Sequence, residues 1–350
     1  MHWLSPSGPP PRALGPPAGV FRYRVQAEDF AVEEVLGFVP DGTGQHAWLW
    51  LEKRGLNTEE VARRLAHLAG VPLVRVGWSG LKDRRAVTRQ WFSVDLGGVR
   101  EPDWGSLEAP ALKVLAVTRH GRKLRRGTHR ANRFRLVLRE CTVPVPEMER
   151  RLGRAAACGV PNFFGPQRFG HRGDNLTRAR GWLLGRNRPA HRHQRGLYLS
   201  AARAWLFNRV LAARVRDGSW DRALPGEILM LAGSRSRFHC GNVGDEIVAR
   251  VALGDLTPSG PLWGRGGEAP SGEAAEVEAR ALVPERRLCR ALERMGVAAD
   301  RRPLVLRPQA LAWSRPAADT WRLEFTLPRG AYATTLLNEL GGMIEGPATC

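Results

Sequence analysis

The sequence predicts an α+β protein. Strand-like runs with alternating apolar residues occur in both halves of the chain, and amphipathic helical runs are interspersed among them. This mixture favours an α+β fold over a parallel, doubly wound sheet. The chain has 350 residues, of which 43% are hydrophobic, so it is long enough for two domains with separate cores.

The first half of the chain is predicted to supply most of the sheet. Strand patterns cover residues 30–38, 46–52, 73–78, 91–94 and 134–138. A helix capped by Asn57 or Thr58 follows the second of these strands and ends at Gly70, before Pro72. A second helical run covers residues 146–158 and ends at Gly159, where we expect a domain boundary.

The pattern is more helical beyond Gly159. Ser200 is predicted to cap a helix that continues to Gly218. The Gly- and Pro-rich stretch 256–270 predicts a loop. Its Gly264-Arg265-Gly266-Gly267 run lacks the strand and the Gly-Lys-Thr of a phosphate-binding loop. A strand over residues 321–327 and a short helix through Leu340 follow.

The returning strand pattern indicates a sheet domain in two pieces. We expect residues 20–158 and 307–340 to form one discontinuous domain, with a second domain, 159–306, inserted into it. Residues 1–19 hold six prolines and three glycines, which predicts a flexible N-terminal segment. Residues 341–350 show little periodicity and are predicted to form a loose tail.

The charge of the chain favours a polyanionic partner. Lys and Arg number 54 against 34 acidic residues, a formal net charge of +20. A GC-rich genome would explain the preference for Arg but not the surplus of cations. No basic amphipathic helix, lipidation signal, apolar leader or membrane-length run is present, so nucleic acid is favoured over a membrane and a cytoplasmic location is expected.

The cysteines and histidines predict no metal site. The sequence contains five cysteines with no Cys-x-x-Cys spacing: Cys141, Cys158, Cys240, Cys289 and Cys350. This spacing indicates neither a zinc site nor a disulfide framework. His191 and His193 have no second ligand pair at a suitable spacing, and a basic loop that faces RNA is the favoured interpretation.

The segment 80–90, Gly-Leu-Lys-Asp-Arg-Arg-Ala-Val-Thr-Arg-Gln, contains the main candidate for chemistry. Asp83 stands between Lys82 and Arg84, at the junction of two strand-like runs. A carboxylate crowded by cations stays ionised and available as a nucleophile at neutral pH. The alternative is a surface turn with an ordinary ion pair.

This segment resembles the signature of the TruD family of tRNA pseudouridine synthases. The matching residues are Gly80, Lys82, Asp83, Ala86, Thr88 and Gln90. A second block, 161–170, reads Pro-Asn-Phe-Phe-Gly-Pro-Gln-Arg-Phe-Gly and is similar to a second family motif over its whole length. Shorter matches lie at 28–30, 200–203, 207–208 and 331–334. The resemblance therefore covers roughly residues 20–340.

The resemblance implies a mainly antiparallel pseudouridine synthase sheet interrupted by a family-specific domain. It implies isomerisation of uridine 13 of tRNA, with Asp83 as the catalytic residue. Lys82, Arg84 and Gln90 are expected to support the Asp83 segment. The reaction exchanges a C–N bond for a C–C bond without redox change, so no cofactor is expected. Whether the carboxylate attacks the ribose or the uracil ring stays open.

A base inside folded RNA must be extruded before it can react. By their match to family substrate-binding positions, Phe30, Asn132 and Tyr332 are expected to bind the extruded base. Core packing is the alternative for Phe30, and strand termination is the alternative for Asn132. Residues 128–131 lack the glycine that often precedes this asparagine, and Tyr332 replaces the phenylalanine commonly found at its position while keeping an aromatic face.

The densest basic run covers residues 119–126. We expect Arg122, Lys123, Arg125 and Arg126 to contact RNA phosphates, the alternative being a solvated loop. Two other functions stay open. A non-catalytic RNA-binding or RNA-folding protein would have no use for Asp83, whereas a base-releasing glycosylase would use a similar carboxylate and leave free uracil and an abasic site.

Overall fold

A computed structural model describes residues 10–170, 173–186 and 191–347, without the side chains of Arg192 and His193. By contact, the chain forms two compact units. The sheet unit comprises Ala18–Pro144, Pro308–Gly330 and Gly342–Cys350, and the helical unit comprises Met1–Pro17, Val145–Arg307 and Ala331–Gly341. The assignment of residues 20–158 and 307–340 to a catalytic domain is a functional one and stays a prediction.

The strands are, in chain order, β1 (Val20–Tyr23), β2 (Phe30–Val35), β3 (His46–Arg54), β4 (Val76–Trp78), β5 (Val87–Asp95), β6 (Leu112–His120), β7 (Ala131–Arg139), β8 (Val160–Pro161), β9 (Glu227–Leu231), β10 (Arg237–Cys240), β11 (Leu256–Leu262), β12 (Asp300–Pro303), β13 (Val305–Leu306), β14 (Gln309–Ala317), β15 (Thr320–Pro328) and β16 (Gly342–Glu345). The α-helices are α1 (Thr58–Leu68), α2 (Val145–Cys158), α3 (Asp174–Leu183), α4 (Arg192–Arg216), α5 (Asp245–Leu253), α6 (Gly272–Leu282), α7 (Arg286–Arg294) and α8 (Ala333–Leu340). None of these described helices is both long and apolar enough to cross a bilayer.

One mixed, mainly antiparallel sheet forms the sheet unit. Its main order is β14-β15-β7-β2-β5-β3-β6, and only the β2–β5 and β1–β16 pairs are parallel. Apolar residues alternate along β7 and β15, and the Phe134 and Phe325 rings stack at 5.3 Å across this pair. Val61 and Leu65 of α1 are buried with the β3 and β5 side chains on the same face. The predicted α+β fold is confirmed.

The core of the helical unit surrounds α4. Ala201, Trp205 and Leu206 of this helix are buried together with apolar residues of α3, α7 and the segment around Phe164. A smaller sheet of order β10-β9-β11-β12 packs in the same unit.

Two predicted elements of the helical unit are wrong in extent. The central helix α4 begins at Arg192 rather than at Ser200, because its apolar face already starts at Tyr198, which packs on Trp182. His191 lies just before this helix, so the predicted basic loop is in fact a helix start.

Residues 256–262 form strand β11 rather than a loop. Its prolines are tolerated because the strand pairs with β9 up to Pro258 and with β12 from Ser259 onward.

The chain ends are more ordered than predicted wherever the structure describes them. Strand β16, within the predicted loose tail, pairs with β1, which its short Gly-Met-Ile-Glu sequence did not reveal. In the N-terminal segment, the Leu14 amide donates to Glu339 Oε2 at 2.9 Å and Arg151 donates to the Pro16 carbonyl at 2.6 Å. Residues 1–9 and 348–350 of these predicted segments lie outside the described residues.

Candidate active site

Asp83 lies in the connection between β4 and β5, as the flanking strand patterns predict. Its side chain is 33% exposed. The Arg85 amide donates to Asp83 Oδ1 at 3.0 Å, and Lys53 Nζ donates to the Asp83 carbonyl oxygen at 3.0 Å. The carboxylate is therefore accessible while its backbone is fixed.

The cation that binds Asp83 is Arg24. Arg24 Nη2 lies 2.6 Å from Asp83 Oδ2, and Arg24 Nη1 lies 2.9 Å from Glu345 Oε1. Its guanidinium carbon lies 4.1 Å from the centroid of the Phe30 ring. Arg24 has a φ of 57°, which is uncommon for a residue other than glycine and is tolerated where several contacts fix the conformation. The chain thus orients the arginine toward the carboxylate.

The two sequence neighbours of Asp83 do not crowd its carboxylate, which corrects the prediction. Lys82 Nζ lies 2.9 Å from Glu34 Oε2, and both of these side chains are buried. Arg84 donates instead to the Gly55 carbonyl at 3.0 Å. A buried carboxylate needs a partner cation, and Lys82 is drawn inward to supply it. Burial raises the pKa of Glu34, and the neighbouring Lys82 opposes this rise.

A buried chain of hydrogen bonds holds the segment before Asp83. Gln90 Nε2 donates to the Gly80 carbonyl at 3.2 Å, and the Thr58 hydroxyl donates to Gln90 Oε1 at 3.0 Å. The same hydroxyl accepts from the Lys82 amide at 2.9 Å. Gln90 therefore contacts the segment both directly, at the Gly80 carbonyl, and through Thr58. The sequence suggested only a helix cap for Thr58.

Lys53 is a further residue that the sequence analysis missed. Its ammonium group is buried and also donates to the Leu56 carbonyl at 2.7 Å. Burial lowers the pKa of Lys53 to about 8, and the charge of Asp83 opposes this shift. The sequence does indicate that Lys53 is buried, because it continues the period-two positions of Leu49 and Leu51, which face the core.

His129 connects the Asp83 segment to the basic loop 121–130. Its backbone amide donates to Ser79 Oγ at 2.7 Å, and the same oxygen lies 2.5 Å from His129 Nδ1. The Gly127 amide donates to the Ser79 carbonyl at 2.8 Å. Burial lowers the pKa of His129 to about 4, with like-charge repulsion from Lys82 and Arg329 acting in the same direction.

Phe30 and Asn132 belong to the same unit as Asp83. Phe30 is 4% exposed and makes an edge-to-face contact with Phe134 at 6.2 Å. Asn132 lies opposite Glu34 in the β2–β7 pair. Its Oδ1 is buried and, within the described part of the chain, has no hydrogen-bond partner. An unpaired buried acceptor of this kind can bind an N–H group of a ligand.

Tyr332 belongs to the helical unit, where it immediately precedes α8. Its hydroxyl accepts from Arg168 Nε at 3.1 Å, and Arg168 Nη1 donates to Ser200 Oγ at 3.0 Å. Phe164 lies 6.4 Å from its ring in an edge-to-face arrangement. Three segments singled out in the sequence, around Phe164, Ser200 and Tyr332, therefore meet in this unit.

The four basic residues of the loop differ in their surroundings. Lys123 Nζ donates to the Val74 carbonyl, and the Arg126 guanidinium lies 4.5 Å from the Trp78 ring. The side chains of Arg122 and Arg125 are exposed and have no hydrogen bond or ion pair to any described residue. Buried Leu124 anchors the loop through its amide, which donates to Ser93 Oγ at 2.9 Å. Two cations are thus available to a ligand.

Comparison with known families agrees with the matched motifs. The family model described as tRNA pseudouridine synthase D (TruD) matches residues 17–187 and 187–340. The chain belongs to the TruD family. The match includes both the Asp83 segment and the Phe164 block.

Curated relatives cover nearly the whole chain. A tRNA pseudouridine synthase D from Azotobacter vinelandii is 49% identical over 331 residues, covering 94% of each protein. A tRNA pseudouridine synthase D from Methylococcus capsulatus is 47% identical over 330 residues, covering 94% of this chain and 93% of the relative. A solved TruD structure from Methanosarcina mazei aligns with a TM-score of 0.69 at 22% identity, covering 93% of this chain and 94% of that one. This last similarity shows a shared fold.

Proposed function

We propose that this TruD-family protein converts uridine 13 of tRNA to pseudouridine, with Asp83 as the nucleophile. The observation that carries the proposal is the accessible Asp83 carboxylate, which Arg24 binds at 2.6 Å within a segment fixed by buried contacts. A catalytic group that the fold holds in place lowers the entropic cost of bringing it to the substrate. Family membership supports a tRNA substrate and an isomerase activity.

The proposed reaction balances without a cofactor. The bond between uracil N1 and ribose C1′ breaks, the uracil turns, and a bond between C5 and C1′ forms. The base loses the proton on C5 and gains one on N1, so no proton or electron is consumed overall. In this proposal Asp83 forms the transient covalent bond, on either the ribose or the base.

The extruded uracil needs replacement contacts for those it loses in the RNA. We propose that Asn132 Oδ1 accepts a hydrogen bond from the base edge, because this acceptor is buried and lacks a partner among the described residues. Phe30 and Tyr332 are proposed to provide aromatic contacts. For Phe30 the ring face already carries the Arg24 guanidinium, which supports an edge contact or an indirect role through Arg24.

The reaction assay should use an unmodified tRNA transcript and the same transcript with cytidine at position 13. Chemical mapping should detect pseudouridine at position 13 in the first transcript and none in the second. Free uracil and abasic sites would instead indicate a glycosylase. Binding of both transcripts without any product would favour an RNA-binding or RNA-folding protein.

A further inference from the structure

The helical unit contains a cavity of about 870 Å³. Its walls are the end of β11, the turn 263–270, parts of α6 and α7, and the start of β12. This volume lies within the usual range for small-molecule sites, about 300–1,000 Å³. Neither Tyr332 nor Arg168 lines it, so the cavity is separate from the candidate site residues of this unit.

The glycine-rich turn that forms one wall is fixed in place. The Arg265 amide donates to the Val297 carbonyl at 2.7 Å, and the Ala299 amide donates to the Arg265 carbonyl at 3.1 Å. A Cβ atom at position 264 would lie 2.2 Å from the Val297 oxygen, so only glycine permits this approach. The run Gly264-Arg265-Gly266-Gly267, which the sequence indicated as a simple loop, is therefore a built part of the cavity wall.

Most of the acidic side chains in the cavity wall are neutralised by arginines. Glu278 binds the buried Arg301, with Oε1 at 2.6 Å from Nη2. Glu268 and Asp300 form ion pairs with Arg237, at 3.4 and 2.7 Å. The remaining carboxylate in the wall, Glu293, accepts a hydrogen bond from a neutral donor.

Three cations in the wall have no such partner. Arg265, Arg290 and Arg294 are exposed, and none of them makes a hydrogen bond or ion pair with any residue that the structure describes. Arg290 and Arg294 lie four residues apart on α7 and therefore project from the same side of the helix. Guanidinium groups bind phosphate through paired, charge-assisted hydrogen bonds.

The wall also contains an aromatic side chain of fixed orientation. Trp263 is half-buried, and its Nε1 donates to Glu293 Oε1 on α7 at 3.0 Å. Because this hydrogen bond holds the indole ring, little side-chain freedom would be lost when a ligand packs against it. Stacking on an aromatic face stabilises a bound nucleobase whatever its sequence, because every base has a π-face.

We propose that this cavity is a binding site for a nucleoside phosphate, in which Arg290 and Arg294 bind the phosphate and Trp263 packs against the base. A phosphate ion alone would leave the aromatic wall unused, and an apolar ligand would leave the arginines unpaired. The nucleotide can belong to RNA or be free. Binding of an RNA nucleotide at this site rests on the function proposed above, whereas binding of a free nucleotide does not depend on it.

The test compares two pairs of substitutions on one helix. Arg290→Gln with Arg294→Gln removes two of the three unpaired cations of the cavity wall. Arg286→Gln with Arg287→Gln removes two exposed cations of the same helix that do not line it. Ala279→Trp, whose parent residue lines the cavity, fills the space and keeps every charge. Melting temperatures of all variants should match the wild-type chain.

Four ligands are titrated into each full-length variant. Calorimetry measures binding of UMP, AMP and inorganic phosphate, and filter binding measures the affinity for unmodified tRNA. We expect the Arg290/Arg294 and Ala279→Trp variants to bind at least one nucleotide ligand about tenfold more weakly, the effect of losing roughly 1.4 kcal/mol. The Arg286/Arg287 control should bind like the wild type. A loss confined to tRNA identifies an RNA nucleotide, and a loss confined to UMP or AMP identifies a free one.

Three results would overturn the inference. The first is that wild-type affinities for both tRNA and free nucleotides persist in the Arg290/Arg294 and Ala279→Trp variants. The second is that inorganic phosphate binds as tightly as UMP and AMP while the cavity variants keep wild-type affinity for tRNA, which would remove the role of the aromatic wall. The third is an equal loss in the control pair, which would indicate a general charge effect. Asp83→Asn should leave nucleotide binding at the cavity intact, so failure of the proposed catalytic function would be distinguishable.

Discussion

Asn132 Oδ1 is a buried acceptor that has no hydrogen-bond partner among the described residues. A buried acceptor left unpaired lowers the stability of the fold by about 1–3 kcal/mol. Such atoms are therefore rare, and a role in binding a ligand is one explanation for them. Asn132 lies beside Glu34, whose carboxylate is already bound to Lys82. These contacts make the amide a candidate for recognition of a ligand rather than for support of the fold.

Asn132→Ala should therefore separate activity from stability. We expect kcat/KM for pseudouridine formation to fall about 10- to 100-fold, a loss of roughly 1.4–2.7 kcal/mol of transition-state stabilisation. The free energy of unfolding in urea should stay close to the wild-type value, because Asn132 Oδ1 has no hydrogen bond to lose within the described part of the chain. Arg133→Ala, at the exposed neighbouring position of β7, serves as the control. A strongly destabilised but fully active Asn132→Ala protein would make Asn132 a structural residue.

His129 predicts how stability depends on pH. Its folded pKa, lowered by burial to about 4, lies below the ordinary value of 6.5. Between these two pKa values the unfolded chain binds a proton on His129 that the folded chain does not bind. The stability that neutral His129 contributes is therefore fully present above pH 6.5 and is lost as the pH falls toward 4. Urea unfolding of the wild type and of His129→Asn should show the wild type losing more stability between about pH 7.5 and pH 4.5. A constant difference between the two proteins would contradict the assigned shift.

The connection between β4 and β5 is the element that presents the candidate nucleophile. Lys82 points into the sheet toward Glu34, and Thr58 and Gln90 hold the backbone before Asp83 at the Lys82 amide and the Gly80 carbonyl. The next residue, Asp83, lies at the solvent-accessible end of this connection. The buried ion pair therefore acts as an anchor for the segment.

Breaking this anchor should have different effects on stability and on activity. Lys82→Met leaves Glu34 without its cation and should destabilise the fold by up to about 3–5 kcal/mol. Adding Glu34→Gln removes the uncompensated charge, so the double variant should regain most of the stability in urea unfolding. Its rate of pseudouridine formation should stay low, since the segment has lost its anchor. Wild-type activity of the double variant would show that the ion pair does not position Asp83.

The sequence predicted this element only in part. The strands that flank the Gly80 to Gln90 motif identified the location of Asp83 in the connection between them. The partner, Arg24, lies 59 positions away in the chain, and no local pattern connects the two. The prediction that Lys82 and Arg84 surround the carboxylate failed because neighbours in sequence need not project in the same direction.

Across the whole molecule, the α+β class was predictable because the strand runs 134–138 and 321–327 alternate clearly, whereas the mainly antiparallel sheet was expected from the family resemblance. Strand β16 and the true start of α4 were not predictable, since each depends on tertiary contacts rather than on local periodicity. The surplus of cations was evident from composition. Which of these cations are ion-paired and which are unpaired was not. The cytoplasmic location and the division into a catalytic and an inserted domain stay predictions.

The net charge of +20 predicts a strong dependence of tRNA affinity on salt. The logarithm of the binding constant should fall linearly with the logarithm of the salt concentration, with a slope of roughly −0.7 to −0.9 per phosphate contact. Replacing Arg122 and Arg125 with Ser should reduce the slope by roughly 1.4–1.8. Arg63→Ser with Arg64→Ser is the matched control, because those cations are ion-paired on α1. An unchanged slope in the Arg122/Arg125 variant would mean that this loop does not contact RNA.

The proposed nucleophile is the Asp83 carboxylate. Asp83→Asn keeps the shape of the side chain and removes its charge, so the most direct measurement is single-turnover pseudouridine formation by this variant on unmodified tRNA, with tRNA affinity and melting temperature measured in parallel. We expect no detectable pseudouridine at position 13, while the variant remains folded and binds tRNA with an affinity close to the wild type. Substantial product formation by the purified Asp83→Asn protein would contradict the account.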